Sequence, residues 1–263
     1  MKAVLSWTRA APIALCMLLT ASAAKAAEIK VMSSAGFSEA YRALVPEFER
    51  ITGHKIETIR GPSMGDRPEA IPNRIARGEP ADVVLINTES LDRLIAEGKV
   101  VASSRVELAR APIGAVVQAG APKPDISTVE ALKRTLLEAK SIAYSDSGSG
   151  VYLSTELFPR LGIAEQMKVK GVRIKGSVAQ AVARGECELG FQTMSELLPV
   201  QGVDHLGAIP AEVQKTQSFA AGIAAGAKEP AAAAALIKHL SSLEAAPAIV
   251  KSAMEPVAAG NKK

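Results

Sequence analysis

The stretch Glu28–Gly53, EIKVMSSAGFSEAYRALVPEFERITG, constrains this chain most. A short apolar run, Ile29–Met32, leads into the small polar cluster Ser33, Ser34, Ala35 and Gly36. A helical pattern follows, with Tyr41, Leu44, Val45, Phe48 and Ile51 on one face, Ser38 placed to cap its start and Gly53 its end. Strand, small polar turn and helix in that order make a β–α unit of an open sheet. Its geometry aims backbone N–H groups and a helix N-terminus at one point, which suits an anion. An ordinary β–α unit with a tight turn has the same pattern, so this stretch speaks to the fold before it speaks to a ligand.

Ahead of it, residues 1–26 carry the pattern of a secretory signal: Lys2 and Arg9, the apolar core Ala10–Leu19, and Ala24-Lys25-Ala26 as an A-x-A cleavage site. That core is too short to span a bilayer comfortably. Cleavage near Ala26 places the mature chain in the periplasm. Without Lys2, Arg9 and Lys25, 28 basic residues face 27 acidic ones, so the formal charge of +4 nearly vanishes. A nucleic-acid partner then has no electrostatic footprint. Cys16 leaves with the signal, and Cys187 alone makes neither an intramolecular disulfide nor a cysteine-based metal site; it reads as a buried small apolar residue. The remaining 237 of 263 residues permit one large or two modest α/β domains.

Strands are expected at Ile56–Arg60, Val83–Ile86, Ile113–Val117, Ser141–Tyr144, Val172–Ile174 and Leu189–Phe191, and Phe219–Ala225 is a late apolar stretch of small residues. Helices are expected at Ile71–Arg77, Ser90–Glu97, Val129–Ala139 (Leu132, Leu136 and Leu137 on one side), Val151–Leu161, Ser177–Arg184, Pro230–Leu240 and Leu243–Ala253. Strands alternating with helices predict parallel sheets with crossover helices. IARGEPADV at 75–83 is echoed by VARGECELG at 182–190: helix end, glycine cap, acidic turn, strand start. This predicts two similarly wound halves.

An enzyme needs a nucleophile, base or metal cluster with convergent geometry. His54, His205 and His239 share no metal-ligand spacing. In SDSGSG, Gly148 and Gly150 directly flank Ser149, which is not the G-x-S-x-G elbow, and no P-loop, dinucleotide fingerprint or EF-hand loop is present. A serine hydrolase built on Ser149 is the rival from the enzyme classes. The expectation is a binding protein rather than an enzyme, with no cofactor. Three donor-rich turns, Ser33–Gly36, Gly61–Met64 and Ser147–Gly150, each lead toward a helix and point to a small anion in an interdomain cleft.

With these motifs together the chain resembles the molybdate-binding-protein family among the type II periplasmic solute-binding proteins of ABC importers. The resemblance rests on IKVMSSAGF with its helix, NRIARGEPADVVL, LDRLIAEGKV, KPDISTVEALKRTLLEAKSIAYSDSGSGVYL and ARGECELGFQTMSEL, and covers essentially all of 28–259. It implies an α/β, two-lobed periplasmic binding protein, each lobe a doubly wound sheet flanked by helices. The lobes are expected at 27–112 plus 220–263 and at 113–219. It also implies a small oxyanion ligand of the molybdate or tungstate type, an ABC-importer membrane permease as partner, and a monomer.

The family's ligand positions carry over to the neighbourhood of Ser33, Ser34 and Gly36, to Ser63, to Ser149 beside Gly150, to Val178, and to Gln192 and Thr193. Two of these depart from the pattern: Gly36 stands where the family has a serine, and Thr193 where it has a tyrosine. Arg60 ends a strand beside the second turn, and a planar guanidinium fork matches a carboxylate or phosphate. An organic carboxylate held by Arg60 is therefore the alternative ligand.

Overall fold

The computed structural model describes residues 26–257. The signal pattern, Ala26 apart, and the tail after Val257 lie outside the described residues.

The chain starts with β1 (Glu28–Ser33), α1 (Ser38–Thr52) and β2 (Lys55–Arg60). It continues through α2 (Ile71–Ala76), β3 (Val83–Asn87), α3 (Thr88–Ala96) and β4 (Val106–Ala111). After Pro112 come β5 (Ile113–Gln118), α4 (Val129–Glu138), β6 (Ile142–Ser145) and α5 (Gly148–Tyr152). A π-helical turn, Leu153–Leu157, joins α5 to α6 (Phe158–Arg160), and α7 (Ala164–Lys170) follows. Then come β7 (Gly171–Ile174), α8 (Val178–Ala183), β8 (Leu189–Thr193), α9 (Met194–Leu197) and β9 (Val203–Ala208). The last elements are β10 (Gln217–Ile223), α10 (Pro230–Leu240), α11 (Ala246–Lys251) and β11 (Glu255–Pro256).

These strands form two sheets, ordered β11-β4-β10-β3-β1-β2 and β7-β6-β8-β5-β9. The β–α units pair in parallel as expected, β1 with β2 and β3, and β6 with β7 and β8. Both sheets are nevertheless mixed. β10 runs antiparallel to β3 and β4, and β5 antiparallel to β8 and β9, because these strands enter from the other sheet.

Each sheet is covered on both faces. In β3, Val83 and Leu85 join a core with Phe48 and Leu236, while Val84 and Ile86 face another with Leu91 and Leu94. Successive strand residues point to opposite faces, so a strand buried on both sides reads as a continuous apolar run. The echoed motif is the same device twice. Gly78 (φ 79°) and Gly185 (φ 73°) each take the left-handed conformation that closes a helix. Gly78 N–H donates to Ile75 O and Glu79 N–H to Arg74 O; Gly185 N–H donates to Val182 O and Glu186 N–H to Ala181 O. These are the paired bonds of a Schellman cap. Each cap delivers the chain to an inner strand, β3 or β8, that ends at the cleft.

Some local expectations need correction. Ser38 is the first residue of α1 rather than its cap, because a 3-10 turn, Ala35–Phe37, precedes it. Ile51 and Leu137, read as core-facing, are 61% and 40% exposed. Cys187 is buried with Val182 and Leu197, and burial raises its thiol pKa.

Candidate functional site

The strand ends of both sheets face a cleft of about 590 Å³, within the range of small-molecule sites. All three donor-rich turns reach it: Ser34 and Gly36 after β1, Gly61 and Ser63 after β2, Ser147 and Ser149 after β6. Arg60, Gln192 and Thr193 line it as well. Ser33, Gly150 and Val178 sit behind its wall. Ser33 is fully buried and its hydroxyl donates to Ser34 O at 3.2 Å. The Gly150 amide donates to Ser145 Oγ at 3.2 Å, and the Val178 amide to Gln192 Oε1 at 3.0 Å.

The polar groups of the first wall differ in how well they are satisfied. Ser34 is 3% exposed and its hydroxyl has no hydrogen-bond partner, so a donor and acceptor stands at the cleft ready for a ligand. Ser38 Oγ donates to Ser34 O at 3.2 Å and accepts from the Arg60 guanidinium, which fixes Arg60 at the cleft mouth. Gly36 has a steric explanation. A Cβ there would lie 2.0 Å from Phe219 Cζ, so the ring of a β10 residue fills the place of any side chain at 36.

On the opposite wall, Ser145 Oγ is within 3.1 Å of Ser147 Oγ and 3.0 Å of Ser149 Oγ. This hydroxyl cluster supports the turn at the start of α5. The hydrolase alternative finds no partner here, since no histidine lines the cleft. His54 accepts from the Ala27 amide at 3.0 Å, His239 lies 3.1 Å from Leu44 O, and His205 sits on β9.

Glu196, on α9, was not anticipated from the sequence. Gln192 Nε2 donates to one carboxyl oxygen at 2.9 Å, and Thr193 Oγ1 to the other at 2.6 Å. Burial raises its pKa; these two hydrogen bonds oppose the shift and Asp146 adds to it. The signal was in the spacing. In QTMSEL, Glu196 stands three residues after Thr193, the spacing of a helix N-cap threonine and a glutamate in its first turn. Arg67 also lines the cleft, 3.4 Å from Asp146, joining the loop after β2 to the turn after β6. Among the described residues, no group of histidine, cysteine and acidic side chains could hold a metal ion.

Comparison with known proteins places this architecture. Residues 29–255 match the family described as bacterial extracellular solute-binding protein. The chain belongs to that family. Its fold is that of type II periplasmic binding proteins. The solved periplasmic molybdate-binding protein of Azotobacter vinelandii superposes with a TM-score of 0.70 over 86% of this chain and 98% of that one, at 20% identity. In sequence, a molybdate-binding protein of the same organism is 33% identical over 184 residues, 68% of this chain and 69% of that protein. The family's members bind small anions and work with ABC permeases. An aconitate isomerase from a Pseudomonas species is 47% identical over 232 residues, 88% of this chain and 88% of that protein. That relative corrects the expectation that a chain of this pattern is not an enzyme: a protein alike over nearly its whole length carries an enzyme's name. Metal clusters, nucleophile elbows and triads are not the only signatures of catalysis, since a single placed acid–base group leaves no such motif in a sequence.

Proposed function

We propose that the cleft binds an unsaturated tricarboxylate of the aconitate type and isomerises it. The observation that carries this reading is Arg60, a guanidinium held on Ser38 in the cleft whose lining also includes Ser34, with its unpartnered hydroxyl. A fork of N–H donors matches a carboxylate in two bonds. Phe219 under Gly36 supports the same ligand, because it occupies the room of the first-loop serine and adds an apolar surface for a carbon skeleton. The 47% identity to an aconitate isomerase supports the reaction.

Aconitate is an unsaturated three-carbon chain with a carboxylate on each carbon. Its methylene hydrogens are allylic and lie next to a carboxylate, so they are unusually acidic for C–H bonds. Moving one proton and the double bond along the chain exchanges cis and trans forms without twisting the double bond. Binding residues then need only hold the carboxylates in one plane while the proton moves. The protein is exported with its signal removed near Ala26, and the 27–112 plus 220–263 and 113–219 lobes close on the ligand as a monomer. An ABC permease is the partner if the ligand is also carried.

The test is calorimetric titration with trans-aconitate, cis-aconitate, citrate and molybdate, alongside NMR detection of trans–cis exchange. Tight binding and interconversion of aconitate are expected. Arg60→Ala removes a charge-assisted hydrogen bond of about 1.5–3 kcal/mol and weakens aconitate binding roughly ten- to a hundredfold. Tight molybdate binding that survives Arg60→Ala, with no carboxylate bound, would establish the oxyanion receptor instead.

A further inference from the structure

Four acidic side chains line the cleft, at odds with an anion site. Glu39 pairs with Arg42 at 2.9 Å and Asp146 with Arg67 at 3.4 Å, while Glu69 is exposed to water. Among the described residues, Glu196 is in no ion pair. Its carboxyl is held only by the neutral donors of Gln192 and Thr193. Those bonds fix its direction at the base of α9, against the 3-10 turn that carries Gly36 on the facing wall. An unpaired carboxylate facing a bound anion repels it and is poorly solvated. The same position is favourable for a group that alternates between ionised and protonated forms as it exchanges a proton with the ligand.

We propose that Glu196 is the catalytic residue of the isomerisation, a single carboxyl that removes a proton from one end of the tricarboxylate and returns it to the other. This rests on the reading of the cleft as an aconitate-type isomerase. The Glu196 carboxylate takes a proton from the substrate methylene: that C–H bond breaks and an O–H bond forms. The electron pair spreads over the neighbouring double bond and the carboxylates. Glu196 then gives the proton to the former vinyl carbon, and the double bond reforms between the other two carbons. Nothing is oxidised or reduced, and the carboxylate is regenerated. The geometry of the new double bond follows from how the end carboxylate is held when the proton returns. Burial raises the Glu196 pKa, which makes it a better base once ionised.

The test uses the full mature chain with trans-aconitate. Glu196→Gln keeps the shape, accepts from Gln192 Nε2 through its oxygen and donates to Thr193 Oγ1 through its amide, but carries no carboxyl proton. Its kcat is expected to fall by about a hundred- to ten-thousandfold, with the affinity for trans-aconitate held within tenfold or improved, since a like charge is gone. Glu196→Asp retains the carboxyl at shorter reach and recovers part of the rate. In wild type, kcat falls with acid as Glu196 takes up its proton, and the raised pKa starts that fall at a higher pH than for an ordinary carboxylate. Asp146 with its partner Arg67, the Glu39–Arg42 pair, Arg60 and Glu69 are the other charged groups lining the cleft; of these Asp146 raises the Glu196 pKa, and Asp146→Asn lowers the midpoint of that fall without abolishing turnover. Turnover by Glu196→Gln within tenfold of wild type would overturn the assignment while leaving the isomerase reading intact. Wild-type protein that binds aconitate but leaves it unconverted would overturn both.

Discussion

Gly36 and Phe219 decide what the first wall of the cleft offers a ligand. Gly36 is fully enclosed by a ring that reaches it from β10, and any Cβ there meets Phe219 at 2.0 Å. Gly36→Ser alone is therefore expected to destabilise the fold by about 1–3 kcal/mol, the usual cost of overpacking. Pairing it with Phe219→Ala makes room for the new side chain and restores the hydroxyl that the molybdate-binding family carries. The double variant is expected to bind molybdate better and aconitate worse than wild type, read by calorimetric titration. A double variant with wild-type ligand preference would show that this position does not set specificity. Arg60 and Ser34 were legible in the sequence because a strand end and the turn after it are local patterns. The coupling of Gly36 to Phe219 was not, since it depends on a strand that returns from far along the chain. Glu196 lay between these cases: its spacing from Thr193 was visible, but its half-buried place and lack of a cation partner exist only in the folded cleft.

Among the elements, α1 is tied to the sheet by more than its apolar face. Tyr41 on α1 is 3% exposed, and its hydroxyl lies 3.0 Å from Thr58 Oγ1 on β2. Burial pushes the phenol pKa up to about 12, against the Thr58 hydrogen bond and the Arg60 charge, which lower it. Between the ordinary value near 10 and that raised value, the unfolded chain gives up the proton while the folded chain keeps it, so stability falls as pH rises. The full loss is about 2.7 kcal/mol for this group, and none of it is felt below about pH 9. Tyr41→Phe is expected to lose about 0.5–1.5 kcal/mol at neutral pH with the hydrogen bond. It also makes the alkaline limb of urea-measured stability shallower. Identical slopes in both proteins above pH 10 would refute the assignment. Elements with a strong local period were readable, α1, β3 and α4 among them. β4, β9 and α7 were missed, each for a physical reason. β4 carries Glu107 and Arg110 in VELARA, and only its antiparallel pairing with β10 makes it a strand. β9 is a half-exposed edge strand without an apolar stripe. α7 buries only Met167, so no amphipathic face marks it.

At the scale of the whole molecule, the cleft exists only if the two sheets hold a defined relation, and the chain passes between them twice. β4 and β5 are separated by Pro112 alone, while residues 209–216 lead from β9 back to β10. Gln214 fastens the second passage to the first. Its Oε1 accepts from the Ile113 amide at 2.8 Å, and its Nε2 donates to Ile113 O at 2.9 Å and to Ile209 O at 3.3 Å. Ile113 is fully buried, so replacing Gln214 by leucine leaves a buried amide without an acceptor. That costs about 1–3 kcal/mol, far more than the partly exposed Arg67–Asp146 pair across the cleft, which contributes at most about 1 kcal/mol. Gln214→Leu is therefore expected to lower Tm by roughly 2–10 °C, and Arg67→Ala by less than about 3 °C. The two variants differ again when ligand is added. Aconitate at a hundred times its dissociation constant adds about 2.7 kcal/mol to whatever protein it binds. If Gln214 sets the orientation of the sheets, the leucine variant binds more weakly and gains less than wild type at the same concentration. A Tm fall in Gln214→Leu with wild-type affinity would assign the glutamine to stability alone, and an unchanged Tm would show that the apolar packing of each sheet holds the passage without it.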